Sequence, residues 1–240
     1  MIQNSICQKN NATMSGGCLF IQNSVDVTIH DTSMNYNKAK YGGAMYVTES
    51  SSIYYFGINK MTFNIAKVVG GAIVFYHTNA TIMYDKNGFI QLDSNHADRG
   101  SAIYLYKSVL NIEERNSNTS INDKNFDIYL TNNHASIAGT IYWIYDNDIM
   151  RSTPNVGNIK FIKNQASYGH QMATQAVNIT GEDIYEIINY DRFIITDLNF
   201  KAFDYYGQAL ENIPDDLFSF SASITTKHQC LGRTPTITRS

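Results

Sequence analysis

The sequence predicts an all-β protein in which residues 1–180 wind into a right-handed parallel β-helix, a solenoid of about six coils, followed by a short β-rich segment over residues 181–240. Three observations favour this fold. A phrase built on Asn, Ala and Gly recurs six times, short apolar runs follow each copy, and asparagine is unusually frequent. Internal repeats with a period of about 20–50 residues are typical of solenoids.

The repeated phrase is an apolar residue, two variable residues, Asn, one variable residue, Ala, two or three variable residues, and Gly. The six copies begin at Cys7, Met34, Met61, Leu92, Leu130 and Phe161. Their asparagines are Asn10, Asn37, Asn64, Asn95, Asn133 and Asn164, and their alanines are Ala12, Ala39, Ala66, Ala97, Ala135 and Ala166. Their glycines are Gly16, Gly42, Gly70, Gly100, Gly139 and Gly169, and three copies add Gly17, Gly43 and Gly71. Successive asparagines are 27, 27, 31, 38 and 31 residues apart.

Each copy carries strand patterns and no helical stripe. Apolar runs such as residues 73–75 follow the glycines, and alternating runs such as residues 25–29 follow a polar turn. A coil with three short strands and three turns fits this repeat length, whereas a propeller blade needs about 40 residues. No proline precedes Pro154, which suits continuous strand stacking, since proline cannot donate into a ladder.

The fixed residues of the phrase have structural roles in a β-helix. Coils stack about 4.8 Å apart, so equivalent residues form columns along the axis. We expect the six asparagines to form a structural ladder of amide hydrogen bonds at a corner. Alanine fits where the turn leaves no room for a larger side chain, and glycine permits the positive φ of a sharp corner. This ladder gives a structural reason for the excess of asparagine in the chain, which has 26.

Two segments depart from the repeat. The 38-residue spacing indicates an insertion, which we place at residues 111–125, a polar stretch that we expect to bulge from one turn as a loop. In the tail, residues 192–196, 198–203 and 217–225 read as strands, and residues 204–208 read as a turn. We interpret this tail as a cap over the last coil or as a truncated β-sandwich module.

Composition limits the partners and the compartment. The net charge is −3, with 18 basic and 21 acidic residues, so no basic excess attracts nucleic acid. No apolar run reaches the ~18 residues of a membrane span. Residues 1–5 do not form a signal peptide, and we expect a piece of an extracellular or cell-surface protein that lacks its signal peptide.

Glycosylation and cysteine patterns add two expectations. Sequons for N-glycosylation occur at Asn11, Asn79, Asn118 and Asn178. Cys7, Cys18 and Cys230 have no zinc or redox spacing, and their odd number indicates either buried thiols or a partner that lies outside this chain.

The repeat resembles that of chlamydial polymorphic outer membrane proteins, which carry apolar-x-x-Asn and Gly-Gly-Ala-Ile phrases. The resemblance rests on Asn64, Gly70, Gly71, Ala72 and Ile73, and a second copy keeps the order with Asn37, Gly42, Gly43, Ala44 and Met45. It covers residues 7–176 and is closest in the first four copies, because Thr140 and His170 replace the second glycine in the last two. It implies a parallel β-helix displayed on a cell surface and associated with adhesion, and it carries over no catalytic residue.

Candidate chemical groups are few. Asp146, Asn147 and Asp148, and the run Asp85, Lys86, Asn87 and Gly88, offer oxygen ligands for calcium, but polar turns explain both runs better. His170 follows Gly169 as in a turn of pectin hydrolases, but paired aspartates do not accompany it. His96 and His134 both follow a ladder asparagine and, with Asp98, offer metal ligands. We interpret these two histidines as solvent-facing turn residues and assign no metal and no cofactor.

Aromatic side chains are a further candidate feature. Seven strand tyrosines are candidates for a stripe on which sugars stack, although about half of them should point inward. They are Tyr54, Tyr55, Tyr76, Tyr104, Tyr106, Tyr142 and Tyr145. Our leading hypothesis is a non-enzymatic extracellular scaffold for adhesion or binding, with a protein or glycan ligand at a cell surface. The alternative is a carbohydrate-binding or carbohydrate-active β-helix resembling polysaccharide lyases and hydrolases, and a third is a gene fragment without a function of its own.

The ladder hypothesis predicts unequal effects of two asparagine substitutions. Asn64→Leu should leave neighbouring amides unpaired and cost about 1–3 kcal/mol, whereas Asn87→Leu in an expected turn should cost less. Thermal unfolding followed by circular dichroism measures both variants, and equal shifts of the midpoint would count against the ladder.

Overall fold

A computed structural model of the chain describes residues 1–50, 52–84, 88–114, 127–144, 153–154, 156, 159–181, 200–211, 221–223 and 236–238. All regular structure in these residues is β-strand. Parallel strands stack coil upon coil as a right-handed parallel β-helix of about five turns, which confirms the predicted fold class.

Four parallel sheets, A to D, form the walls of the β-helix. Each of the four central coils contributes one strand to each sheet in this order, and the described parts of the first and last coils contribute to fewer sheets. Sheet A contains β1 (Ile2–Gln3), β4 (Asp26–His30), β8 (Ser52–Phe56), β12 (Asn79–Tyr84) and β16 (Val109–Glu114). Sheet B contains β2 (Ile6–Gln8), β5 (Ser33–Asn35), β9 (Ile58–Thr62), β13 (Phe89–Asp93), β17 (Asp127–Thr131) and β20 (Ile159–Ile162).

The remaining two walls follow the asparagine corner. Sheet C contains β6 (Lys38–Tyr41), β10 (Ile65–Val69), β14 (His96–Arg99) and β18 (His134–Ala138). Sheet D contains β3 (Leu19–Gln22), β7 (Met45–Thr48), β11 (Ile73–Tyr76), β15 (Ile103–Tyr106), β19 (Ile141–Trp143) and β21 (Met172–Thr174).

A coil therefore has four strands where the repeat length predicted three. The asparagine corner makes the difference, because only two residues separate β9 from β10. The first of them, Phe63, has a φ of 55°, and the second is the ladder residue Asn64. A left-handed residue turns the chain sharply enough to divide one apparent strand between sheets B and C.

Left-handed residues recur at the corners of the coils. The residue before each ladder asparagine has a positive φ, as seen at Lys9, Tyr36, Phe63, Ser94, Asn132 and Lys163. Few of these residues are types that favour this conformation, so their identity did not predict it. Stacking of equivalent corners imposes the conformation on whichever residue occupies the position.

The corner glycines lie between sheets C and D. All six have φ between 58° and 68°. At Gly42, a Cβ atom would also press on the backbone of Met45. The neighbouring Gly43 has no positive φ, but a Cβ there would meet the backbone oxygen of Gly71 in the next coil. Glycine is thus required at these two positions for different reasons, conformation at the first and close coil packing at the second.

The core is built from columns of like residues. In sheet D, Ile73 pairs with Met45 on one side and with Ile103 on the other, and all three are buried. In sheet B, Met61 pairs with Met34 and Leu92 in the same manner. The largest fully buried side chains are Trp143, Tyr55 and Phe75. Stacked apolar columns of this kind make one continuous core along the axis.

Two of the three cysteines form a disulfide, a pairing that the sequence left open. Cys7 and Cys18 are bonded, with their Cα atoms 6.0 Å apart. Because the β-helix folds the first coil back on itself, it brings together two residues whose spacing carries no recognisable motif. Cys230 lies outside the described residues.

The predicted insertion and tail are only partly described. Residues 111–114, expected in the loop, instead continue β16 and pair with β12, while residues 115–126 lie outside the described part. In the tail, β22 (Asn178–Gly181) pairs antiparallel with β23 (Phe200–Phe203), and β24 (Ser221–Ser223) pairs antiparallel with β25 (Thr236–Thr238). A turn follows β23, closed by a hydrogen bond from Gly207 N to Asp204 O. The predicted strand at residues 192–196 is outside the described residues.

The described part of the tail packs against the last strands of sheet D. The buried carboxylate of Asp204 accepts hydrogen bonds from the Thr174 and Gln208 backbones. Gln208 Nε2 donates to Met172 O at 2.9 Å, and Trp143 Nε1 donates to the Tyr206 hydroxyl at 3.1 Å. This arrangement provides polar partners and aromatic cover for the end of the sheet.

Two glycine substitutions separate conformational strain from close packing. Gly207 has a φ of 73° with nothing within 4 Å of an added Cβ, whereas Gly42 has a φ of 64° and the Met45 backbone against it. Gly207→Ala should therefore cost about 1–2 kcal/mol of folding free energy. Gly42→Ala should cost about 3 kcal/mol or more, because strain and overlap add. Urea unfolding measures both, and an equal loss would mean that the corner has room for a methyl group.

Candidate functional site

The ladder asparagines form a hydrogen-bonded column at the corner between sheets B and C. Asn64 Nδ2 and the Asn64 backbone N both donate to Asn95 Oδ1, each at 3.0 Å. The second Nδ2 hydrogen of Asn64 reaches Met34 O at 2.9 Å. The same side-chain contact links each neighbouring pair from Asn10 to Asn164. The four central asparagines are 0% exposed, so this column serves the fold and offers nothing to a ligand.

A second polar column lies at the corner between sheets D and A, and sequence reasoning missed it. The Thr78 backbone N donates to Ser108 Oγ at 2.9 Å, and the Ser24 backbone N donates to Ser50 Oγ at 3.2 Å. Each of these hydroxyls donates in turn to a carbonyl two residues earlier in its own coil. The sequence does contain a signal for this column, because a Ser or Thr directly follows each residue with a positive φ at this corner. These residues are Ser24, Ser50, Thr78 and Ser108.

With both polar columns committed to the fold, the outward positions of the strands remain for binding. The most distinctive surface is a set of stacked rings on sheet D, Phe20, Tyr46, Tyr76 and Tyr106, which we call the aromatic column. Ring centroids are 5.6 Å apart for Phe20 and Tyr46, 6.3 Å for Tyr46 and Tyr76, and 4.8 Å for Tyr76 and Tyr106. The interplanar angles are 6°, 26° and 8°, so the ring faces lie against one another.

The aromatic column changes register halfway along. Phe20 pairs with Tyr46, and Tyr76 pairs with Tyr106, but the register partner of Tyr46 in the next coil is Val74. Tyr46 and Tyr76 therefore meet diagonally, and Val74 is buried. The column remains accessible, since Phe20 is 54% and Tyr76 is 37% exposed.

A second pair of rings on the same sheet is less accessible to solvent. Tyr104 and Tyr142 stack with centroids 5.7 Å apart, and Tyr142 is buried against Tyr168. The Tyr168 hydroxyl donates to Thr174 O at 2.9 Å. Burial raises the pKa of Tyr168 to about 12, although a hydrogen bond with Tyr142 and the charge of Arg99 act in the opposite direction. Burial likewise raises the pKa of Tyr104 and Tyr142.

These positions correct the aromatic stripe suggested by the sequence. Tyr76, Tyr104 and Tyr106 do share the outer face of sheet D, but Tyr142 on that sheet is buried. Tyr55 lies inside the core on sheet A, where its hydroxyl has no hydrogen-bond partner and burial raises its pKa. Tyr54 lies on sheet A and donates to Asp26 Oδ1 at 3.1 Å. Phe20 and Tyr46 were missed, because only the coil register brings them to this face.

The histidines differ from their expected placement. His96 and His134 are the first residues of β14 and β18 rather than turn residues, and they are register partners on sheet C. His170 Nδ1 accepts a hydrogen bond from the Ala166 backbone N at 3.1 Å, which is a structural contact within the last coil. The runs at residues 85–88 and 146–148, interpreted as polar turns rather than calcium sites, lie outside the described residues except for Gly88.

Two of the four sequon asparagines are exposed on the surface. These are Asn11 and Asn178, whereas Asn79 begins β12 and Asn118 is outside the described residues. Among the residues that the structure describes, no group of three or more His, Cys, Asp and Glu side chains is placed to hold a metal ion. The same residues contain no helix of the length and apolar character that crossing a membrane requires.

No protein-family model, no curated protein and no solved structure matches the chain.

The raised tyrosine pKa values predict a loss of stability at alkaline pH. Unfolded tyrosine ionises near pH 10, whereas Tyr104, Tyr142 and Tyr168 stay neutral to higher pH in the folded chain. The unfolded chain then binds fewer protons above this pH, so the free energy of unfolding falls as the pH rises from about 10 towards 12.

Urea unfolding at about pH 8, 10 and 12 measures this decline. Tyr142→Phe should make the decline shallower, because it removes one of the groups that ionise only on unfolding. Identical pH dependence in the wild type and in Tyr142→Phe would contradict the assignment.

Proposed function

We propose that the chain is a non-enzymatic extracellular or cell-surface scaffold that binds or adheres through the aromatic column of sheet D. The column itself carries this proposal. Large aromatic side chains supply much of the binding energy at the centres of protein interfaces. Here they are exposed, and they are already stacked on rigid strands, so binding loses little side-chain entropy.

Two features support the extracellular location. The Cys7–Cys18 disulfide is typical of proteins that fold in an oxidising compartment and is rare in the cytosol. Asn11 and Asn178 are exposed within sequons, so an oligosaccharyltransferase could reach both. Neither feature contributes to the aromatic column, so location and binding can be tested separately.

Ring geometry favours a protein ligand over a glycan. The faces of Phe20 and Tyr46, and those of Tyr76 and Tyr106, are turned towards each other at interplanar angles of 6° and 8°. Ring edges are consequently the accessible part of most of the column. Side chains of a protein partner can pack on such edges, whereas sugar stacking requires free faces. The carbohydrate-binding or carbohydrate-active β-helix remains the alternative that the experiments must separate.

An adhesion assay tests the aromatic column. The full chain, displayed on beads, is presented to a panel of cultured cells, and adhesion is counted under flow. The double substitution Tyr76→Ser with Tyr106→Ser should lower cell binding by about tenfold or more, because it removes two of the four stacked rings of the column. Tyr54→Ser on sheet A is the matched control and should bind as wild type. Unchanged adhesion of the double variant would contradict the proposal.

Ligand class and turnover need separate measurements. Protease treatment of the cells should abolish adhesion and glycosidase treatment should preserve it; the reverse pattern would favour the glycan alternative. A reducing-sugar assay across a polysaccharide panel tests for enzyme activity, and turnover of any member would contradict the non-enzymatic proposal.

A further inference from the structure

His96 and His134 bring two imidazoles together on the outer surface of sheet C. They are register partners on adjacent coils, at a position occupied by Lys38 and Ile65 in earlier coils and by Gln165 in the next. Their ring centroids are 5.0 Å apart with an interplanar angle of 41°. His134 is exposed and His96 is partly buried, so an ion can approach from solvent.

This separation matches two imidazoles that share one metal ion. A zinc–nitrogen bond is about 2.0–2.1 Å long, so each ring centre lies about 3.2 Å from a bound ion. Two such rings at a tetrahedral angle have centres about 5.2 Å apart. The centroids of His96 and His134 are 5.0 Å apart, which is close to this separation.

Asp98 gives the surface a third polar group. It follows His96 by two residues on β14, with the buried Ala97 between them. Its charge already acts on His96. A carboxylate so placed can accept a hydrogen bond from a metal-bound water, while the two imidazoles make the direct bonds.

We propose that His96 and His134 form a surface site for a divalent transition-metal ion of the zinc, copper or nickel type. Imidazole nitrogen is a preferred ligand for these ions. Water completes the coordination, because the chain supplies two direct ligands. The site is independent of the aromatic column, which lies on sheet D, and of the function proposed for that column.

Calorimetric titration of the full, untagged chain with ZnCl₂ tests the site. A Cys230→Ser background removes a thiol that would itself bind zinc. The chain should bind one equivalent at pH 7.5, and His96→Ala or His134→Ala should weaken binding by about tenfold or more, because each removes half of the chelate. His77→Ala is the matched control, since its ring contacts Tyr76 and Tyr106 on another corner, and it should bind zinc as wild type.

A substitution that is expected to increase zinc affinity tests the same geometry without depending on a loss of zinc binding. Ile65 is exposed and is the register partner of His96 on the preceding coil. Ile65→His should therefore add a third imidazole and tighten zinc binding by about tenfold or more. Circular dichroism verifies that each variant is folded. Absence of saturable zinc binding in the wild type, equal losses in His96→Ala and His77→Ala, or no gain in Ile65→His would each overturn the site.

Discussion

The buried amide ladder is the constraint on which the rest of the molecule depends. A buried asparagine without partners is strongly unfavourable, and Asn64 or Asn95 finds all its partners only when successive coils stack in one register. A slip by one residue would break these bonds and also turn the apolar column of Met45, Ile73 and Ile103 out of the core. Polar and apolar residues thus enforce the same register.

Strict register has a consequence for the surface. Whatever side chain a coil presents outward lies about 4.8 Å from its equivalent in the next coil, so neighbouring residues of similar type stack. The same stacking that aligns core residues produces the aromatic column on sheet D and the His96–His134 pair on sheet C. The functions proposed for this protein therefore rest on variable positions, while the repeated residues build the scaffold.

The two ends of the β-helix are held by different interactions. In the first coil the Cys7–Cys18 disulfide joins residues that are 11 apart in the chain, which restricts the unfolded chain more than the folded one. Beside the last coil, Asp204 and Gln208 satisfy polar groups at Thr174 and Met172, and Tyr206 covers Trp143. The disulfide and the tail contacts both stabilise end coils, which have fewer stacking neighbours than the coils in the middle of the β-helix.

The sequence by itself determined the solenoid, the coil length, the amide column and the positive φ of the corner glycines, because each repeats at a fixed spacing and has a local physical cause. It did not determine the fourth strand of each coil, since the left-handed conformation of Phe63 and its equivalents comes from coil stacking rather than from residue type. The Cys7–Cys18 bond and the diagonal contact of Tyr46 with Tyr76 also could not be predicted from the sequence. Both depend on distances between coils, and only the tertiary structure decides which outward side chains become neighbours.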